Sequence, residues 1–292
     1  MAQAGIALRD WRAQGSDFTF RGHAIRYWSA GSGAPLLLIH GFPTASWDWH
    51  LLWQPLAERY RVIACDMLGF GDSAKPRGHD YRILEQADLQ QALLEHLGVR
   101  ESVHLLVHDY GNSVGQELLA RHEEGAFKLA SLAFLNGGLF PETHRAVLSQ
   151  KLLLSPLGSL FGRLFDRRRL AQNFAKVFGP QTQPSEAELD AFWELIRHND
   201  GPRVMHRLIH YILDRRQHRE RWVAAMQRTA VPLRLIDGPE DPISGAHMVV
   251  RYRELIPRPD TVELPGIGHY PQVEAPEQVL RHYLAFRQER AP

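Results

Sequence analysis

Residues 103–119, V-H-L-L-V-H-D-Y-G-N-S-V-G-Q-E-L-L, contain two candidate nucleophiles within one strand-turn-helix pattern. Asp109 lies in H-D-Y-G, and Ser113 lies in G-N-S-V-G, which matches the G-x-S-x-G turn that exposes a reactive serine. The apolar run ends at Val107, so Asp109 falls in the turn and Ser113 falls about one turn into the following helix. Placing Ser113 at the turn would extend the strand through Asp and Gly, which have low β-propensity. The pattern therefore predicts Asp109 as the nucleophile and keeps Ser113 as the alternative.

The flanking sequence alternates short β-rich runs with helical patterns from residue 17 to residue 136. D-F-T-F and A-I-R-Y-W are typical of a hairpin, and P-L-L-L-I-H, R-V-I-A-C-D and L-A-S-L-A-F-L-N are typical of buried strands. Helical spacing is seen in W-D-W-H-L-L-W-Q-P-L-A-E-R, in residues 81–97 and in residues 113–122. This alternation predicts an α/β protein with a mostly parallel, eight-stranded sheet and helices on both faces.

The alternation stops after Asn136 and resumes near Val231 with P-L-R-L-I-D. The intervening segment is helical and rich in arginine, which predicts a helical cap inserted into the sheet domain. We expect core residues 1–138, cap residues 139–230 and core residues 231–292. Ligands bind at the carboxyl ends of parallel strands, so the cap should cover the site.

Composition is that of an ordinary globular protein, with 44% apolar residues, 23% charged residues and a net charge of +1 among 292 residues. This balance provides no overall field to recruit nucleic acid or a membrane. The single cysteine, Cys65, ends an apolar run and is predicted to be a buried thiol. No secretion signal or unbroken apolar span is visible, so we expect a cytoplasmic protein without stable membrane insertion, as a monomer or a homodimer.

Two further loops follow predicted strands in the second core segment. Asp241 lies in G-P-E-D-P-I after one strand, and His269 lies in P-G-I-G-H-Y-P after the next. The order nucleophile, acid, histidine is that of hydrolytic triads. The turn H-G-F-P should direct the backbone N–H of Phe42 into the site beside the N–H of Tyr110. These two groups are the predicted oxyanion hole.

The motifs H-G-F-P, D-M-L-G-F-G-D-S, H-D-Y-G, G-P-E-D-P and G-H-Y-P together resemble the α/β-hydrolase superfamily, in its aspartate-nucleophile branch of epoxide hydrolases and haloalkane dehalogenases. The cap stretches L-N-G-G-L-F-P-E-T-H-R, F-G-P-Q-T-Q-P-S-E, I-R-H-N-D-G and R-E-R-W-V-A-A-M resemble the mesoderm-specific transcript group of that superfamily. The resemblance implies an alkyl-enzyme ester intermediate and a reaction without cofactor or metal.

The residues beside the nucleophile bear on the substrate. Dehalogenases of this branch carry Trp after the nucleophile and often Asn after the H-G turn, whereas this chain has Tyr110 and Phe42. Epoxide hydrolases use two cap tyrosines as proton donors, and the predicted cap contains Tyr211 alone, with three histidines as possible substitutes: His144, His206 and His210. We therefore predict epoxide hydrolysis first. The alternatives are haloalkane dehalogenation, lactone hydrolysis, a serine esterase and a non-catalytic receptor.

The predicted substrate is a small apolar molecule, and five side chains are candidates to contact it or its leaving group: Tyr211, His40, His108, Trp47 and Trp193. His206 and His210 have a metal-binding spacing, but H-E-x-x-H is absent and we predict no metal. The charged run 214–222 alternates acids and bases, which favours a solvated helix face.

Two cap segments have a second interpretation. The segment 151–165, K-L-L-L-S-P-L-G-S-L-F-G-R-L-F, fits either an interfacial helix or a cap wall, and Pro156 favours the wall. The run R-R-R at 167–169 would suit an anionic surface.

Overall fold

The computed structural model describes residues 5–289, in which the strands form one eight-stranded sheet. The sheet order is β1-β2-β4-β3-β5-β6-β7-β8. The strands are β1 (Ser16–Phe20), β2 (His23–Ala30), β3 (Pro35–Ile39), β4 (Arg61–Cys65), β5 (Val103–Val107), β6 (Leu129–Phe134), β7 (Leu233–Asp237) and β8 (Thr261–Glu263). β1 and β2 pair antiparallel, and β3 to β8 are parallel. The predicted fold class is confirmed.

Burial explains why the central strands form. Every residue of β3, β5 and β7 is buried, as expected for parallel strands covered by helices on both faces. β3 lies between β4 and β5, with Leu36 beside Val62 on one side and His104 on the other. Because these strands run the same way, the loops after β3, β5, β6 and β7 all leave from one edge of the sheet.

The core helices connect these strands. They are α1 (Leu8–Gln14), α2 (Trp53–Ala57), α3 (Ile83–His96), α4 (Tyr110–Glu123), α12 (Ala246–Leu255), α13 (Pro271–Glu274) and α14 (Pro276–Glu289), with a 3-10 turn at Ser46–Trp49. The predicted single helix through W-D-W-H-L-L-W-Q-P-L-A-E-R is wrong. A continuous helix would place Pro55 in its interior, where proline lacks the required N–H, whereas in α2 it lies in the first turn.

A helical segment separates β6 from β7. Its helices are α5 (Leu148–Leu154), α6 (Gly158–Arg163), α7 (Arg167–Val177), α8 (Glu186–Arg197), α9 (Met205–Leu208), α10 (Tyr211–Gln217) and α11 (Arg219–Arg228), with 3-10 turns at Pro141–Thr143 and His198–Arg203. We propose that residues 139–230 are the cap, between core segments 1–138 and 231–292. Within residues 5–289, no helix combines the length and the apolar character that crossing a bilayer requires.

The charged run 214–222 is not a solvated face throughout, so that prediction is wrong. Arg215 is 1% exposed and Asp214 is 2% exposed, because α10 and α11 pack on α4. Glu117 of α4 accepts hydrogen bonds from Trp222 Nε1 and from Arg221 Nε, each at 2.9 Å. Charged side chains of this run therefore pair with α4 of the core, across the contact between the helical segment and the core.

Candidate active site

Asp109 occupies a sharp turn between β5 and α4. Its backbone has φ 47° and ψ −103°, a conformation that non-glycine residues rarely adopt and that marks strained functional positions. A Cβ atom at Gly111 would lie 2.4 Å from the carbonyl oxygen of Ile39, so only glycine lets the turn pass this close to β3. The Asp109 N–H donates to the carbonyl of Asn136 at 2.8 Å. These contacts hold the carboxylate above the strand edge.

The turn after β3 provides a backbone donor to this carboxylate. The N–H of Phe42 donates to Asp109 Oδ2 at 3.1 Å. A Cβ at Gly41 would lie 2.8 Å from Asp109 Cβ, so the close approach of the two turns depends on glycine. Tyr110 is the first residue of α4, and the N–H groups of a first helical turn have no partner within the helix. The two predicted oxyanion donors thus flank Asp109.

His269 is brought against both acids. Its Nδ1 donates to Asp241 Oδ2 at 2.6 Å, and its Nε2 lies 4.0 Å from Asp109 Oδ2. Burial disfavours the imidazolium, but the Asp241 carboxylate and its hydrogen bond outweigh burial and raise the pKa of His269 to about 9. The hydroxyl of Ser244 donates to Asp241 Oδ2 at 2.7 Å, and Asn136 Nδ2 donates to it at 3.2 Å.

Arg215 is a buried cation beside the candidate nucleophile. Its Nη2 donates to the Asp109 carbonyl at 2.7 Å and lies 3.6 Å from Asp109 Oδ1. Its Nε donates to Ser113 Oγ at 2.6 Å, and its Nη1 has no partner among the described residues. Ser113 is fully buried on α4 under this guanidinium. The hydroxyl of Ser113 therefore points to Arg215 and makes no contact with His269.

Tyr211 lies above the turn of the nucleophile. Its ring centroid is 5.0 Å from that of Tyr110 and 6.0 Å from that of Phe42, and the Arg215 guanidinium lies 4.5 Å from its centroid. Its hydroxyl is buried and has no hydrogen-bond partner among the described residues. Burial raises the pKa of Tyr211, so the phenol keeps its proton. An unpaired buried O–H is costly, which marks this one as a free donor.

His144 is a second polar group without a partner. Neither ring nitrogen has a hydrogen bond within the described chain. Burial and then the nearby Arg215 charge lower the pKa of His144 to about 4, so the ring is neutral at neutral pH. The other two substitute donors are partly exposed, His206 on α9 and His210 in the turn before α10.

A mostly apolar cavity of about 70 Å³ lies over Asp109 and His269. α5 contributes Leu153 to its wall, and α7 contributes Phe174. The helices α5 and α7 of the proposed cap therefore form part of the wall over the candidate nucleophile.

None of the five predicted contact residues lines this cavity: Tyr211 packs against the wall residue Phe42, and the other four are held by contacts elsewhere. Both ring nitrogens of His40 are hydrogen-bonded, Nδ1 to the Gly41 carbonyl and Nε2 to the Met67 N–H. Trp47 stacks on His50, and Trp193 packs near Phe165. The fourth residue is His108, whose Nε2 donates to the His269 carbonyl at 2.8 Å. Their contacts point to packing and positioning, not to substrate contact.

Sequence reasoning missed Arg215 and Asn136. Asn136 follows β6 at the edge that carries Asp109, and it also accepts the Gly238 N–H at 2.7 Å. Its place after a buried strand is the same signal that identified Asp109. Arg215 lies four residues after Tyr211, a spacing that puts both on one helix face. Among residues 5–289, no three His, Cys, Asp or Glu side chains gather closely enough to hold a metal ion.

Comparisons with known proteins agree with this architecture. The α/β hydrolase fold family matches residues 34–276. The chain is 43% identical to the mesoderm-specific transcript protein of Mus musculus, over 97% of this chain and 89% of that protein. It is 28% identical to a cis-3-alkyl-4-alkyloxetan-2-one decarboxylase of Shewanella oneidensis, over 92% and 86%. Haloalkane dehalogenase DbeA from Bradyrhizobium elkani superposes with a TM-score of 0.81 at 22% identity, over 94% of this chain and 98% of that one.

Proposed function

Because the chain belongs to the α/β hydrolase family, we propose that it is a hydrolase in which Asp109 attacks an epoxide and forms an ester. The observation that carries the proposal is the position of Asp109 at the positive-φ turn, with Phe42 N–H on Oδ2 and His269 Nε2 at 4.0 Å. Ser113 is buried under Arg215, which argues against a serine esterase. A non-catalytic receptor would have no need of the pair formed by Asp241 and His269.

In the first step, one carboxylate oxygen of Asp109 attacks a ring carbon of the epoxide. The carbon–oxygen bond of the ring breaks, and its electron pair goes to the ring oxygen, which takes the proton of Tyr211. The oxygen of Asp109 held by Phe42 N–H becomes the ester carbonyl oxygen. Arg215 and the Phe42 N–H keep the carboxylate in place during the attack.

In the second step, loss of the Asp109 charge lowers the pKa of His269, and its proton returns through solvent to the Tyr211 oxygen. Neutral His269 then takes a proton from water, which attacks the ester carbonyl carbon. The N–H groups of Phe42 and Tyr110 stabilise the oxyanion. The intermediate then collapses, and the departing alkoxide takes the proton of the regenerated Asp109 carboxylic acid. The products are a diol, ionised Asp109 and protonated His269.

The pH dependence of kcat follows from this cycle. The pKa of His269 is about 9 with Asp109 charged and falls in the ester, where the histidine must be neutral. We expect kcat to rise with pH from about 6 and to level off before about 9 when ester hydrolysis limits turnover. Asp241→Asn removes the strongest contribution that raises the pKa, so the rise should move to lower pH. Steady-state rates against pH test this, and a kcat that falls over the range contradicts it.

Tyr211→Phe separates the possible leaving groups. The hydroxyl has no partner to lose, so the thermal midpoint should not fall. We expect ester formation from an aryl epoxide to slow by about 10²-fold or more, because the ring oxygen then lacks its acid. A bromoalkane should be unaffected, because bromide leaves without a proton. Rapid-quench rates for both substrates provide the measurement, and an unchanged epoxide rate rejects Tyr211 as the acid.

A second candidate substrate is a strained lactone. Asp109 attack on the alkyl carbon of such a ring would release a carboxylate, and the Arg215 cation, 3.6 Å from Asp109 Oδ1, would favour that negative charge. An oxetan-2-one is a four-membered lactone, and the Shewanella oneidensis relative is named for that substrate class. A carboxylate leaves without protonation, so Tyr211→Phe should spare this reaction while it impairs epoxide opening. The ratio of the two rates in the variant distinguishes the candidates.

A further inference from the structure

The segment around α6 turns leucines toward solvent. Leu157, Leu160 and Leu164 are 59%, 52% and 49% exposed, and their spacing places them on one face of the helix. Leu148, at the start of α5, is 70% exposed. A surface helix normally buries its apolar face, so this arrangement is reversed. We call these four residues the leucine surface.

Glycines on the opposite face of α6 keep the leucines outward. A Cβ at Gly158 would lie 2.0 Å from the Leu153 carbonyl oxygen, and one at Gly162 would lie 2.5 Å from the Pro202 carbonyl oxygen. α6 therefore packs backbone to backbone against α5 and the turn at residue 202. A rotation that buried the leucines would drive larger side chains into these contacts.

Unpaired basic side chains flank the leucines of this surface in the sequence. The four are exposed and, within residues 5–289, have no carboxylate within ion-pair distance: Lys151, Arg163, Arg168 and Arg169. Arg167 is different, since it pairs with Glu186 and Asp190. The segment 151–169 therefore presents four positive charges without a carboxylate partner beside its exposed leucines.

The leucine surface is the outer side of the cavity wall. Ser149, Gln150 and Leu153 of α5 line the cavity, whereas Leu148 and Lys151 of the same helix face outward. Phe165, directly after Leu164, also lines the cavity. Whatever occupies this surface is thus in contact with the segment that forms one wall of the cavity.

We propose that the leucine surface and its four basic neighbours dock the protein on an anionic lipid bilayer. Exposed leucines suit the boundary between headgroups and acyl chains, and the basic groups suit anionic headgroups. A symmetric contact with a second copy would instead bring the four cations of each chain against those of the other. This inference concerns a surface and does not depend on the reaction proposed for Asp109.

Vesicle flotation tests the docking surface. The full chain is mixed with phosphatidylcholine vesicles, with and without about 30% phosphatidylglycerol, at low and high salt. We expect binding to the anionic vesicles and loss of binding at high salt. Two triple variants should each bind at least about tenfold more weakly: Leu157→Ser with Leu160→Ser and Leu164→Ser, and Arg163→Glu with Arg168→Glu and Arg169→Glu.

Matched controls make the same changes elsewhere. Leu213→Ser with Val250→Ser removes leucine and valine side chains that are 46% and 54% exposed, and it should leave binding unchanged. Arg100→Glu with Arg228→Glu and Arg258→Glu matches the charge reversal. If a triple variant loses its cooperative thermal transition, a single variant replaces it: Leu160→Ser for the leucine variant and Arg163→Glu for the arginine variant.

Three results would overturn the proposal. The first is no binding of the unmodified protein to anionic vesicles at low salt. The second is equal binding by the unmodified protein and both triple variants. The third is a dimer in light scattering that the leucine variant abolishes, without vesicle binding, because a second copy of the chain would then cover the surface.

Discussion

Asp109→Asn is expected to lower turnover of an aryl epoxide by at least about 10⁴-fold. The thermal midpoint should also fall, because the buried Arg215 loses its anionic neighbour. The amide oxygen can still accept the Phe42 N–H, so the turn loses no hydrogen bond there. A neutral amide, however, cannot form the ester on which the cycle depends. Ser113→Ala is the matched control, because it changes the rival nucleophile on the next helical turn. It should retain activity within about tenfold, since it removes only the hydroxyl that accepts from Arg215.

Oxygen tracing makes the same test independent of folding. Water attacks the carbonyl carbon of the ester. The oxygen that the diol gains in the first turnover therefore comes from the Asp109 carboxylate, and an oxygen from water replaces it there. A single turnover in ¹⁸O-labelled water should therefore give an unlabelled diol and a labelled peptide that contains Asp109. Label in the diol after one turnover would mean direct attack by water. Loss of activity in Ser113→Ala with retention in Asp109→Asn would identify the serine instead.

The fold and the placement of the three candidate residues could be predicted because their signals are local. Asp109, Asp241 and His269 each follow a short apolar run, and the strand order brings the ends of those runs to one edge. The failure of the long helix after the H-G-F-P turn was local too, since Pro55 was visible in the sequence. The helical spacing of the apolar residues in that stretch favoured one continuous helix, although Pro55 is incompatible with it.

Arg215 could not be placed because its burial is not local. A run of mixed charges has the same pattern whether it faces water or pairs inward with another helix. Here α10 and α11 pack on α4, where Glu117 accepts from Arg221 and Trp222, and this packing depends on residues about 100 positions apart. Trp47 and His40 do not line the cavity for a similar reason. The sequence predicts that they lie near the H-G-F-P turn, but the direction of their rings depends on distant residues.

His269→Ala is expected to stop the cycle after the ester has formed. The attack by Asp109 needs no base, whereas hydrolysis needs His269 to take a proton from water, so hydrolysis should slow by about 10³-fold. The ester should then accumulate to about one equivalent per chain, and peptide mass spectrometry can locate it. His269→Gln is a second variant, which can keep a hydrogen bond to Asp241 if alanine destabilises the loop.

The mass of the trapped adduct then decides among the reactions, because each leaves a different group on the enzyme. An adduct on Asp109 with the whole mass of the epoxide is the expected result. If the bromoalkane gives an alkyl adduct without bromine and the epoxide gives no adduct, the protein is a dehalogenase. If an activated ester leaves an acyl group on Ser113, the nucleophile is Ser113 and not Asp109. If no probe gives an adduct or turnover, the ester mechanism is wrong, because the first half of the cycle requires only the carboxylate, the donors positioned around it and, for an epoxide, the proton of Tyr211.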